Sequence, residues 1–213
     1  MTFVLGLTGS IGMGKSTTSA MFQKNNVPVY DADATVHALY RTVAVPLIEQ
    51  RFPGTVIDGA VDRKLLGQRV LADRQALKDL ETIIHPLVRR AEKQFILDQI
   101  RLDTPLIVLD IPLLFETGGQ QRVDAVCVVT APAEMQKQRV MDRKTMTEEQ
   151  FNTILAKQWP DQQKRAHADC LIDTSQGLEF AEQQVKQVIE TYCHATGTVA
   201  QALLSKKDPL NHA

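Results

Sequence analysis

Eight residues near the amino terminus, Gly9-Ser10-Ile11-Gly12-Met13-Gly14-Lys15-Ser16, place Gly9, Gly14, Lys15 and Ser16 at the spacing GxxxxGK[ST], with a further glycine at Gly12. Glycines let a backbone close around an anion, so that consecutive N–H groups and the N-terminus of the following helix point at it. Lys15 would then meet the β- and γ-phosphates of ATP, and Ser16 would offer a hydroxyl to Mg2+. At average residue usage, a chance match in a chain of 213 residues has a probability of about 1%. Here the motif also follows an apolar run, Thr2 to Leu7, and precedes a helical pattern, which is the strand–turn–helix context it requires. The stretch Gly9 to Thr17 is therefore expected to hold a nucleoside triphosphate.

A phosphate cradle alone does not choose a reaction. No NKxD guanine-reading motif occurs, which argues against a switch GTPase and for a kinase. Asp31 and Asp33 follow a second apolar run, Val27 to Tyr30, where the carboxyl ends of parallel strands face a ligand crevice. One carboxylate can accept a proton from an attacking hydroxyl and the other can order metal-bound water. Asp33 equally suits the N-cap of the next helix. Asp110, ending a third run, is a candidate on the metal side or a turn cap. Arg139 and Arg143, four apart on one expected helix face, suit a γ-phosphate whose charge spreads during transfer, or a solvated surface. His85, before Pro86, reads from the residues alone as structural.

These groups need a frame. Apolar runs at Thr2–Leu7, Val27–Tyr30, Leu106–Leu109, Ala125–Val129 and Cys170–Ile172 alternate with helical patterns, which predicts a five-stranded, mostly parallel α/β sheet of the P-loop NTPase type. The core is expected over 1–33, 104–133 and 167–194, with a helical insertion over 34–103 and a mobile, charged helical lid over 134–166. The tail, 195–213, is expected to fray. A single folding unit fits this length.

With 24 basic and 25 acidic side chains, the chain has no global positive field for a nucleic acid, and its aromatics are few and scattered. No apolar run spans a bilayer, no leader is recognisable, and Cys127, Cys170 and Cys193 show no metal spacing, so a cytoplasmic protein is expected. Oligomeric state is not legible.

Taken together, LTGSIGMGKST, Asp31-Ala32-Asp33, GAVDRKLLGQRV (59–70), IIHPLVR (83–89) and IPLLFE (111–116) resemble the dephospho-CoA kinase family. So do Gln158, Pro160, Lys164, Ala168, Asp169, Ile172 and Asp173. The resemblance runs from Leu7 to about Gly177. It implies transfer of the ATP γ-phosphoryl group, with Mg2+, to the ribose 3′-hydroxyl of dephospho-CoA. It also implies Asp33 as catalytic base, Lys15 and Ser16 on the phosphates, Arg139 at the transferring group, and the insertion as the CoA-binding region carrying Arg63 and His85. Asp31 and Arg143 are expected on the acceptor and ATP sides respectively. The chain departs from the pattern after Asp173, where many members have Asn and this one has Thr174. Two other readings share the motif: a nucleoside or nucleoside monophosphate kinase, and a catalytically silent nucleotide-binding protein.

Overall fold

The computed structural model describes residues 1–71 and 73–205. In chain order its elements are β1 (Phe3–Thr8), α1 (Lys15–Lys24), β2 (Val29–Asp31), α2 (Ala32–Leu39), α3 (Val45–Arg51), β3 (Val56–Ile57), β4 (Ala60–Val61), α4 (Arg63–Leu71) and α5 (Arg74–Arg101). They continue with β5 (Leu106–Asp110), a short 3-10 helix (Gly119–Arg122), β6 (Ala125–Thr130), α6 (Ala133–Asp142), α7 (Glu148–Leu155), α8 (Asp161–Ala166), β7 (Cys170–Asp173), α9 (Leu178–Tyr192) and α10 (Thr198–Leu204). The chain divides into two compact units, one of residues 1–30 with everything from Ile96 onward, the other of residues 31–95.

The first unit is built on a five-stranded sheet in the order β2-β5-β1-β6-β7. β1 pairs in parallel with β5 (Leu5 opposite Val108) and with β6 (Leu7 opposite Cys127), and β6 pairs in parallel with β7. Every residue of β1, β5 and β6 is buried, which is why these strands read as unbroken apolar runs rather than alternating ones. Leu5, Leu7, Phe22, Val108, Val129, Ile172 and Val185 form its core, each contributing about 2 kcal/mol of transfer free energy. Because β1 lies between β5 and β6, the chain switches direction across the sheet beside it. A crevice then opens at the carboxyl ends of β1 and its neighbours, just where the glycine-rich turn begins.

The second unit has a separate core of Leu39, Ile48, Phe52, Leu66, Leu80 and Ile84. The helical insertion was expected over 34–103. The compact unit covers 31–95, and it contains an antiparallel hairpin pairing Val56 with Val61. Its turn, Asp58-Gly59, has φ of 51° and 77°, the left-handed pair that an Asp-Gly hairpin turn uses. α5 begins in this unit and ends in the other, and His85 and Pro86 lie inside it.

The tail also differs from expectation. Residues 198–204 form α10, because Asp124 accepts from Thr198 N (2.7 Å), Thr198 Oγ1 (2.7 Å) and Val199 N (3.0 Å) while its other oxygen accepts from Val4 N (2.8 Å). Residues 206–213 lie outside the described residues. Among those described, no helix is long and apolar enough to cross a membrane. The three cysteines are free thiols, yet Cys127 and Cys170, far apart in sequence, are register neighbours on β6 and β7. The hydrogen bond between them raises the Cys127 thiol pKa and lowers that of Cys170.

Candidate active site

Between β1 and α1 the chain makes a tight turn in which Met13 N–H donates to Ser10 O (3.1 Å) and the third residue, Gly12, has φ 81°. A side chain there would be strained, and its Cβ would fall 2.7 Å from Val140 Cγ2 and 2.9 Å from Gln136 O. Gly14 (φ 97°) turns the chain into α1 and provides no side-chain cap. The first-turn N–H groups of α1 thus carry the partial positive charge that suits an anion.

Lys15 forms an ion pair with Asp110, which ends β5 and is 3% exposed. A buried carboxylate needs such a partner, and Asp110 is the lysine's counter-ion here. Ser16, one residue on, is exposed. No cluster of three or more His, Cys, Asp or Glu placed to hold a metal exists among the described residues. Mg2+ in phosphoryl-transfer sites takes one or two protein oxygens and completes its shell with water and phosphate. A hydroxyl at Ser16 and a carboxylate at Asp110 match that donor chemistry.

Arg139 projects from α6, with Nη1 donating to Thr174 Oγ1 (2.8 Å) and Nη2 to Thr174 O (2.7 Å). The Thr174 hydroxyl donates in turn to Met13 O (2.8 Å), tying the guanidinium to the phosphate loop. Arg143 is the C-cap of α6, not a residue within the helix as expected. Together Gly14, Thr17, Arg139, Arg143, Thr174 and Gly177 line a cavity of about 390 Å3 with apolar patches from Met21 and Ala181. A concave, part-apolar pocket of this size beside a phosphate loop suits a nucleoside.

In the second unit Asp31, not Asp33, caps α2, with its Oδ1 accepting from Ala34 N (2.8 Å). The capping alternative for Asp33 is thereby corrected, and its carboxylate lies exposed in the first turn of α2. One turn along the same helix face stands His37, whose Nε2 lies 2.7 Å from Arg63 Nη1 at the start of α4. Guanidinium has no acceptor, so in this contact the imidazole nitrogen is the accepting side. Burial raises the pKa of the neighbouring Tyr40 hydroxyl, opposed by the Arg63 cation. His85 is exposed on α5.

The sequence did not reveal the groups that brace the loop. Gln136 of α6, 5% exposed, donates from Nε2 to Ile11 O (2.7 Å), and Gln158 Oε1 accepts from Ile11 N (3.2 Å). Glu116 Oε1 accepts from Trp159 N (2.7 Å) and lies 2.9 Å from the ammonium of Lys164, which is fully buried. Phe115 stacks on Trp159 at 5.4 Å. Gln158, Lys164 and Glu116 had a signal in the family-like pattern. Gln136, a polar residue in a charged helix, had none.

Known proteins resemble this chain over most of its length. A family model described as dephospho-CoA kinase matches residues 3–179. The chain is 60% identical over 187 residues to a dephospho-CoA kinase of Mesorhizobium japonicum, spanning 88% of this chain and 95% of that one. A dephospho-CoA kinase of Rhodopseudomonas palustris is 52% identical over 88% of this chain and 94% of its own. Among solved structures, TT1252 from Thermus thermophilus superposes with a TM-score of 0.79 at 33% identity, covering 92% of this chain and 98% of that one. Dephospho-CoA kinase from Campylobacter jejuni follows with 0.66 at 27%, covering 89% and 96%.

Proposed function

This chain belongs to the dephospho-CoA kinase family, and from that premise we propose how its residues divide the work. The reaction is ATP-dependent phosphorylation of the ribose 3′-hydroxyl of dephospho-CoA, giving coenzyme A and ADP. The nucleoside of ATP takes the cavity beside Arg143 and Gly177, and its phosphates take the turn from Gly9 to Thr17 and the N-terminus of α1. Lys15 exchanges its ion pair with Asp110 for the β- and γ-phosphates. Mg2+, when bound, neutralises charge on those phosphates, and Ser16 with Asp110 would hold it. Asp33 accepts the proton of the 3′-hydroxyl as the oxygen bonds to phosphorus and the bridging bond breaks toward ADP. Arg139 meets the charge that spreads over the transferring group.

Residues 31–95 bind the acceptor, with Arg63, oriented by His37, on its phosphates, and His85 and Asp31 nearby. Helices α6 to α8 act as the lid that excludes water, which would otherwise compete for the phosphoryl group. The free thiols support a reducing, cytoplasmic setting. The observation that carries the assignment of Asp33 is its exposed carboxylate, released from capping because Asp31 performs it.

A coupled assay of ADP release tests the acceptor and the base together. Wild-type enzyme is expected to turn over with dephospho-CoA and not with a nucleoside monophosphate; the opposite preference would reject the reading. Asp33→Asn is expected to bind ATP normally and to lose at least about a hundredfold in kcat, the scale of general-base loss. Near-normal turnover would leave Asp33 without a chemical role.

A further inference from the structure

The turn Ser10-Ile11-Gly12-Met13 carries its left-handed residue, Gly12, in the third position, the arrangement of a type II turn. In such a turn the central peptide, here Ile11–Gly12, is the one that can rotate between two orientations. A glycine on its far side makes both accessible. The carbonyl and N–H of a peptide point in opposite directions, so whatever fixes Ile11 O also fixes where the Gly12 N–H points.

Two side chains hold this segment from outside the loop. Gln136, almost fully buried, donates to Ile11 O at 2.7 Å, and Gln158, between α7 and α8, accepts from Ile11 N at 3.2 Å. The first bond sets the Ile11–Gly12 peptide and the second sets the Ser10–Ile11 peptide. Gln136 is itself fixed by packing, because its own backbone oxygen lies against the Gly12 Cα, where a methyl group would come within 2.9 Å. Gln158 precedes Trp159, whose N–H is held by Glu116 at 2.7 Å and whose ring stacks on Phe115. Both carboxamides are thus presented by braced backbone.

We propose that Gln136 and Gln158 are positioning residues which lock the two peptides flanking Ile11 and thereby aim the Gly12 N–H at the nucleotide's phosphates. This rests on the kinase reading above, and it assigns the residues that build the cradle rather than those that touch the substrate. A preset donor needs no reorganisation when the anion arrives, whereas a peptide free to rotate must be ordered on binding.

Gln136→Met and Gln158→Met keep the length of each side chain and remove its hydrogen bond. Calorimetric titration with ADP is expected to show about tenfold weaker binding in each, the scale of one lost hydrogen bond. kcat/KM for ATP should fall in parallel, with KM for dephospho-CoA unchanged. The double variant is expected to lose little more than the worse single one, because either loss frees the same segment. A purely structural role would lower the melting temperature and leave ADP affinity and kinetics at 20 °C at wild-type values, which would overturn the proposal. So would losses in the double variant that multiply as independent effects. If Gln136→Met fails to fold, the half-exposed Gln158→Met decides alone. ADP binding needs no acceptor, so a wild-type enzyme inactive on dephospho-CoA would reject the substrate reading while this measurement still stood.

Discussion

The guanidinium of Arg139 makes two hydrogen bonds to Thr174, and through the Thr174 hydroxyl it is joined to the phosphate loop at Met13 O. A cation held this way costs little to position when charge develops nearby, because its side-chain freedom is already lost. Arg139→Ala is therefore expected to lower kcat by about a hundredfold or more while raising KM for ATP only a few-fold, as transition-state donors do. Steady-state kinetics with saturating acceptor checks this; a change confined to KM would make Arg139 a ground-state contact. The Thr174 hydroxyl both accepts from the arginine and donates to the loop, so one side chain couples the two.

At the scale of elements, the glycine-rich turn was legible from its residues because its glycines, lysine and serine are required by geometry that lies within ten residues. The five strands were legible too, with boundaries displaced by one or two residues, and most plainly β1, β5 and β6, because strands buried on both faces must be apolar throughout. α10 was not. Its sequence, Thr198 to Leu204, is short and weakly patterned, and it forms where Asp124, seventy-four residues earlier, accepts from its first N–H groups. Asp124→Ala removes the acceptor from Thr198 and Val199 and leaves Val4 N unpaired at the start of β1. A loss of about 3 kcal/mol in chemical denaturation is expected, with ADP affinity unchanged. Wild-type stability in that variant would show that α10 docks without the cap. The hairpin of β3 and β4 was missed for a different reason. Asp58-Gly59 between apolar residues is a hairpin signal, but two-residue strands fall below the length at which alternation can be recognised.

For the molecule as a whole, each of the two compact units has a hydrophobic core among the described residues, so each substrate can be assigned a unit with its own support. Hydrogen exchange offers a direct reading of this division. ATP alone is expected to slow exchange in the 9–18 segment and around 139–143 and 174–181, and to leave the 36–84 core near its unliganded rate. Dephospho-CoA alone should slow exchange within 31–95. Protection by ATP centred on α2 and α4 instead would reverse the assignment of donor and acceptor units. The apparent stability gained by the nucleotide-binding unit would follow mass action, about 2.7 kcal/mol at a hundred times the dissociation constant.

What the sequence carried by itself is what contiguous residues encode: a glycine-rich turn with its lysine and serine, an acidic pair at a strand end, and a parallel sheet to present them. These need only local backbone geometry and the burial of apolar runs, both written into residue order. Tertiary structure alone decided which carboxylate of the pair caps α2, that Asp110 serves as the counter-ion of Lys15, and that two glutamines 125 and 147 residues away hold the peptides beside Ile11. A side-chain hydrogen bond between distant segments leaves no periodicity in the chain. It exists only once packing has brought donor and acceptor within three ångströms or so of each other.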